Sequence, residues 1–315
     1  MMKPTAGVAK KEQGAALIAA LLIIGIVAAI SIDLMYRTQV EIQQTKLIAS
    51  AEQATLDTSY ALAFAQLSYI NYFSPAQQKN PNYIPPRLPI VMGAILLEGT
   101  TVSSRFNSAQ GLFNLNNLTD PTYIPLFSQL IQQVDPMLKP EQSLDIAQSV
   151  AYFINSAVDP KLEKNYINVA APYRAAHRML ASASELRLID KVTGDLYGKL
   201  LPYVIALPKK TSLNPSVALR PVLIAYGVTP EAADAVISAQ VLQGSFKTLN
   251  DFYTLAKFKP SNTKAAVPLF ELNSHYFLLT TDMKNTLLSG TSYTLLEADK
   301  IGLKLNLLQE TRNTL

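Results

Sequence analysis

At 315 residues the chain is long enough for one large domain or two smaller ones. Hydrophobic residues make up 49% and charged residues 16%. Of the net charge of +4, the first fourteen residues hold +2, so no concentrated basic stripe of the kind a nucleic-acid binder carries is left for the rest. With no cysteine and only two histidines, His177 and His275, disulfides, thiolate metal sites and histidine-rich cages are excluded.

The first element in the chain is apolar. Residues 15–32 read AALIAALLIIGIVAAISI without a charge. At about 1.5 Å per residue they just span a hydrocarbon core of roughly 30 Å. Asp33 closes the run, and Lys10 and Lys11 precede it, which places the N-terminus in the cytoplasm and the remainder outside. Three readings compete. A secretory signal could be cut after Val27-Ala28-Ala29, and a plain signal anchor needs only the run itself. In the third, a short charged leader, Lys10-Lys11-Glu12-Gln13-Gly14, ends in glycine directly against the apolar stretch, and this resembles a type IV prepilin signal cut between Gly14 and Ala15. Glycine, polar leader and uninterrupted apolar helix together favour the third.

The stretch beyond Asp33 strengthens the third reading. Residues 34–72 contain neither proline nor glycine, so nothing breaks a helix. Val40, Leu47, Ala51, Ala54, Ala61 and Ala65 form an apolar stripe at helical spacing. A helix from Ala15 to Tyr72 would be roughly 85 Å long. Most prepilin-like subunits carry a glutamate at the fifth mature position, thought to pair with the terminal amine of a neighbour nearer the filament tip. Here that position is Ala19. A buried carboxylate without a partner costs several kcal/mol, roughly, so a subunit with no neighbour above it can dispense with the charge.

Pro75, Pro81, Pro85, Pro86 and Pro89 then mark a loop. Residues 90–97 read as a strand with a turn at Glu98-Gly99, and Gln110-Gly111-Leu112-Phe113-Asn114-Leu115-Asn116-Asn117-Leu118 suits a strand edge entering a turn, its asparagines capping backbone groups. From Pro121 to Phe258 the pattern is helical, with segments at 140–149, 184–189, 193–201, 216–226 and 230–240. Strands return at 276–281, 292–296 and 301–307, separated by turns at Ser289-Gly290 and Ala298-Asp299. The expected fold is α+β: a long N-terminal transmembrane and stem helix packed on a pilin-like antiparallel β-sheet base, with a large all-helical domain inserted. The expected division is a leader at 1–14, a membrane helix at 15–32, a stem at 33–73, the base at 74–118 and 259–315, and the insert at 119–258.

On Gly14-Ala15-Ala16-Leu17 with Ala19, on the FNLNNL run at 113–118, on Pro172-Tyr173-Arg174-Ala175-Ala176, on LASASELRL at 180–188 and on Tyr197-Gly198-Lys199-Leu200-Leu201-Pro202-Tyr203, the chain resembles the K-type minor pseudopilins of the type II secretion system, the GspK family. The resemblance implies a non-enzymatic subunit of the bacterial inner membrane, crossing once with a periplasmic head. It also implies cutting by prepilin peptidase, and partners in the I- and J-type minor pseudopilins and the major pseudopilin. The role expected is capping and initiation of the pseudopilus that exports folded proteins, with contact to secreted proteins left open. A minor pilin of a type IV pilus-like system, serving adhesion or DNA uptake, is the alternative.

Members of that family usually have an acidic tract after the helix that holds Phe153 and Ile154, and the resemblance implies calcium there. This chain keeps only Asp159 and Glu163 locally, whereas calcium takes about six to eight oxygens. No phosphate loop, nucleophile elbow or zinc-protease helix occurs, and His177 and His275 read as surface and turn residues. Two turns, at 192–196 and 226–230, join helices as in DNA-binding helical hairpins but lack paired glycines, so no nucleic acid is expected.

Overall fold

The computed structural model describes residues 8–74, 86–155, 157, 160–167, 172–189, 191–259, 267–286, 289–299 and 303–312. The chain divides into two units, Met1–Leu56 and Asp57–Leu315. Helix α1, Val8–Tyr72, supplies the first unit and enters the second. Its end is closed by the amides of Phe73 and Ser74, both bonded to Tyr69 O at 2.8 and 3.1 Å.

Within the second unit, five antiparallel strands form one sheet. From edge to edge they are β1 Ile90–Leu97, β2 Thr100–Ser108, β5 Tyr276–Lys284, β6 Ser289–Ala298 and β7 Leu305–Arg312. Glu98 and Gly99 connect β1 to β2 with both φ angles positive, +43° and +86°, the twist a two-residue hairpin demands. One sheet face carries Phe106, Phe277, Leu279, Leu296 and Leu305 against Ala61, Ala65 and Tyr69 of α1. The two alanines let the helix approach closely, and Phe73, Phe106 and Tyr69 surround Phe277 with ring centroids at 5.0, 5.1 and 5.4 Å. Full burial of Phe106 and Phe277 contributes about 1.5–3 kcal/mol each.

Between Ser108 and Tyr276 the chain builds a second core. Helices α2 Ile124–Val134, α3 Pro140–Ile154, α4 Lys164–Ile167, α5 Gly194–Leu200, α6 Arg220–Ala225, α7 Pro230–Gln243 and α8 Leu249–Leu255 pack with a short parallel pair, β3 Phe113–Asn114 against β4 Val204–Ile205. Threonines start three of these helices. Thr193, Thr229 and Thr248 accept the amides of Leu196, Ala232 and Asp251, and Pro230 occupies the first turn of α7, where its missing N–H costs nothing. Phe113, Phe127, Tyr123, Tyr226, Phe252 and Phe270 are among the large rings of this core.

The insert is helical as expected, and it also holds the two-residue pair β3 and β4. Several finer expectations need correction. Phe113, Leu115, Leu118 and Phe270, placed by sequence in the base, belong to the insert's core. Strand β2 was not anticipated, because its buried positions Thr100, Ser104 and Ser108 are hydroxyls and mask the alternation. Residues 183–188 form a 3-10 helix capped by Ser182, and the helix expected from 216 starts at Arg220. Asn214 Oδ1 instead takes the Ser216 amide at 2.9 Å, and Pro221 fits only a first turn. Ser289 and Gly290 are paired in β6 with Lys284 and Met283. The last strand runs later than expected because the Asp299 carboxylate gathers the amides of Leu303 and Lys304 at 2.7 and 3.2 Å, a turn before Leu305.

Candidate assembly interface

Among the described residues, the apolar part of α1 is exposed. Its most apolar eighteen-residue stretch, within Ala16–Tyr72, has a mean hydropathy of 2.7 and none of it is buried. Its length and apolarity suit a membrane anchor. Ala19 is exposed on this surface without a charge. Gly14 and Ala15 fall in the early turns of α1, and their side chains lie outside the described residues. Asp33 ends the apolar run and pairs with Arg37 one turn on at 2.8 Å, both exposed. The stripe read from the sequence divides in two: Ala61 and Ala65 are buried on the sheet, whereas Leu47 and Ala51 are exposed. Leu47, Ile48, Leu56 and Tyr60 thus leave α1 with unburied apolar side chains beyond the membrane-length segment.

In the head, the FNLNNL run is a hydrogen-bonding hub. Asn114, Asn116 and Asn117 are all buried. Asn116 donates to Leu180 O at 2.9 Å and Leu207 O at 2.7 Å and accepts from Leu180 N at 2.7 Å. Asn114 donates to Lys209 O at 2.8 Å and accepts from Leu207 N at 3.1 Å, and Asn117 exchanges two bonds with the Thr211 backbone at 2.8 and 3.0 Å. Amide side chains can serve a donor and an acceptor at once, which is why asparagine recurs here and why the intervening Leu115 and Leu118 can stay in the core. Gly111 precedes the run because a Cβ there would lie 2.7 Å from Val217 O.

The residues considered for chemistry are scattered. Asp159 lies outside the described residues, and Glu163, exposed, follows Lys161 in a 3-10 turn and precedes Lys164. Among the described residues no group of three or more His, Asp or Glu is placed to hold a metal, so a calcium cage is not assembled from them. His177, exposed with φ +47°, donates its amide to Phe153 O at 2.8 Å and sets its ring edge-on to Tyr152 at 5.1 Å, a role in chain packing. His275 enters β5, its amide held by Gln110 Oε1 at 2.6 Å. At both helical turns the Thr193 and Thr229 hydroxyls occupy amides that a phosphate would need, and Glu231 adds negative charge at the second. Glu297, at the seam of insert and sheet, has a shifted acidity. Partial burial raises its pKa, but hydrogen bonds from Lys209 at 3.1 Å and Tyr276 Oη at 2.9 Å outweigh this and hold it below the ordinary range. The sequence placed Gln110 at the head of the run and gave the asparagines a capping role, but it pointed to none of their distant partners and gave Gln110 no role.

A family model, type II secretion system protein K, matches residues 111–209, which spans the asparagine hub and much of the insert. The type II secretion system protein K of Pseudomonas aeruginosa is 27% identical over 263 residues, covering 76% of each chain. A putative type II secretion system protein K of Escherichia coli K12 is 28% identical over 215 residues, covering 63% of each. A chain in the crystal structure of the GspK-GspI-GspJ complex of enterotoxigenic Escherichia coli shares the fold, with a TM-score of 0.65 at 22% identity over 88% of this chain and 98% of that one. With an apolar N-terminal helix, an antiparallel sheet, a helical insert and the matched asparagine hub, the chain is similar in sequence and fold to the type II secretion system protein K family, whose members are structural pseudopilins and not enzymes.

Proposed function

We propose that the chain caps the tip of the pseudopilus and initiates its assembly. Cleavage between Gly14 and Ala15 by prepilin peptidase leaves an inner-membrane helix with Ala15 first, and the head stands in the periplasm. The exposed apolar residues of α1 then bundle with the helices of I- and J-type minor pseudopilins, the partners in the solved GspK-GspI-GspJ complex, and the major pseudopilin follows below. The observation that carries this reading is Ala19, uncharged and exposed at the position where an internal subunit would need a carboxylate for the neighbour above it. The insert, residues 109–275, supplies the bulk that stops further addition. The action is steric, and export of folded proteins follows from filament growth.

Mass spectrometry of the mature N-terminus tests the processing. It begins at Ala15 only when the peptidase is present; a start at Met1 or near Ile30 with and without peptidase contradicts it. Replacing Ala19→Glu tests the position: secretion is unchanged or impaired for a tip subunit, and improved incorporation would mark an internal one. A calcium site, if Asp159 and Glu163 complete one, raises the melting temperature on calcium addition, an effect abolished in Asp159→Asn; no shift ends that expectation.

A further inference from the structure

The helical insert joins the sheet at two chain crossings, from Ser108 into Ala109 and from His275 into Tyr276. The apolar contact there is small. Among the described residues Ala109, Ile205, Leu207, Tyr276 and Leu295 form a buried cluster of their own, separate from the cores of insert and sheet. Apolar contact is non-directional, so it holds two bodies together without deciding their angle. Direction has to come from hydrogen bonds.

Gln110 lies at this neck, buried, and reaches two distant chain segments, 212–214 and 275–276. Its Nε2 donates to Ser212 O at 3.2 Å, its Oε1 accepts from His275 N at 2.6 Å and Tyr276 N at 3.2 Å, and its backbone carbonyl accepts from Asn214 N at 2.8 Å. Around it, Asn214 Nδ2 donates to Ser274 Oγ at 2.9 Å, and Ser274 Oγ lies 2.6 Å from Ser108 Oγ. One side chain thus bonds the returning sheet strand and the insert's own backbone together. We infer that Gln110 is the latch that fixes the orientation of the insert on the sheet. Leucine at this position fills the space but leaves two amides and a carbonyl without partners. Glutamate keeps the acceptors and loses the donor to Ser212. For its consequence in secretion the inference rests on the tip reading; for its geometry it does not.

The test uses the full chain in detergent, whose lack of cysteine permits clean labelling. Spin labels at Thr101→Cys on β2 and Ser238→Cys on α7, both exposed, report the sheet-to-insert distance by pulsed dipolar spectroscopy. Gln110→Leu is expected to broaden and shift the distance distribution while the circular dichroism spectrum is kept, and the amides of His275 and Tyr276 exchange about tenfold faster or more. Gln110→Glu gives a smaller broadening and supplies the reading if the leucine variant does not fold. An unchanged distribution in a folded variant overturns the inference. Broadened distances with normal secretion leave the latch standing and count against the need for a rigid tip.

Discussion

Asn116→Ala removes the most constrained side chain of the head. Asn116 is fully buried and makes three hydrogen bonds, two to the backbone of Leu180 and one to Leu207 O, at 2.7–2.9 Å. Alanine leaves Leu180 N, Leu180 O and Leu207 O unsatisfied in an interior with little room for water. Each orphaned group costs about 1–3 kcal/mol. Partial relaxation of the 180 and 207 segments lowers the sum, so the expected loss is about 3–5 kcal/mol, a large part of the ~5–15 kcal/mol that holds an ordinary domain together. Asn116→Asp keeps the acceptor for Leu180 N but turns an anion toward two carbonyl oxygens. Its carboxyl is therefore expected to titrate higher in the folded state than in the unfolded one, and the penalty grows as pH rises above the unfolded value. The assay is a urea titration of the full chain in mild detergent, followed by near-ultraviolet dichroism of its 15 tyrosines, since there is no tryptophan. Asn306→Ala on β7, which is exposed, is the control and should be neutral. A loss below about 1 kcal/mol for Asn116→Ala would refute the claim that these bonds specify the hub.

Three further changes rest on local geometry. Gly111→Ala brings a Cβ to 2.7 Å from Val217 O and 2.8 Å from Val217 Cγ2, so it should destabilise by about 1–3 kcal/mol in the same titration; a neutral result would mean that the 217 turn moves freely. Tyr123, pushed up to about 12 by burial and by Asp120, keeps its proton at neutral pH. Its buried hydroxyl has no hydrogen-bond partner among the described residues, so Tyr123→Phe should be neutral or stabilising by about 1 kcal/mol, and a clear loss would contradict that. Because Glu297 is held below its ordinary value of 4.5 by Lys209 and Tyr276, its contribution is present above that pH and is lost as the pH falls through the lower folded value. The stability difference between the native chain and Glu297→Gln should shrink as pH is lowered below 4.5, and a constant difference would dismiss the Lys209–Glu297 tie.

Much of the architecture was legible because its signals are local. An uncharged run followed by a stretch without proline or glycine forecast α1, and a turn pair at Glu98-Gly99 forecast the end of β1. Strand β2 hid because a buried sheet face can be made of hydroxyls when they bond across strands, as Ser104 and Thr281 do at 3.1 Å. The asparagine hub was visible as a run of caps, yet its partners lie 64 to 97 positions away and no local spacing points to them. The role of Gln110 escaped for the same reason, since three of its bonds close loops of more than 100 residues. The stem stripe reads as one surface in sequence, but within it Ala61 and Ala65 are buried on the sheet while Leu47 and Ala51 are exposed.

The central claim is a tip position, and the most direct measurement is where this chain sits on a filament. Gold-labelled antibody against the insert, applied to sheared pseudopili, should mark one end of each filament and nothing else. Label spaced along the filament length would place the chain among internal subunits and contradict the account.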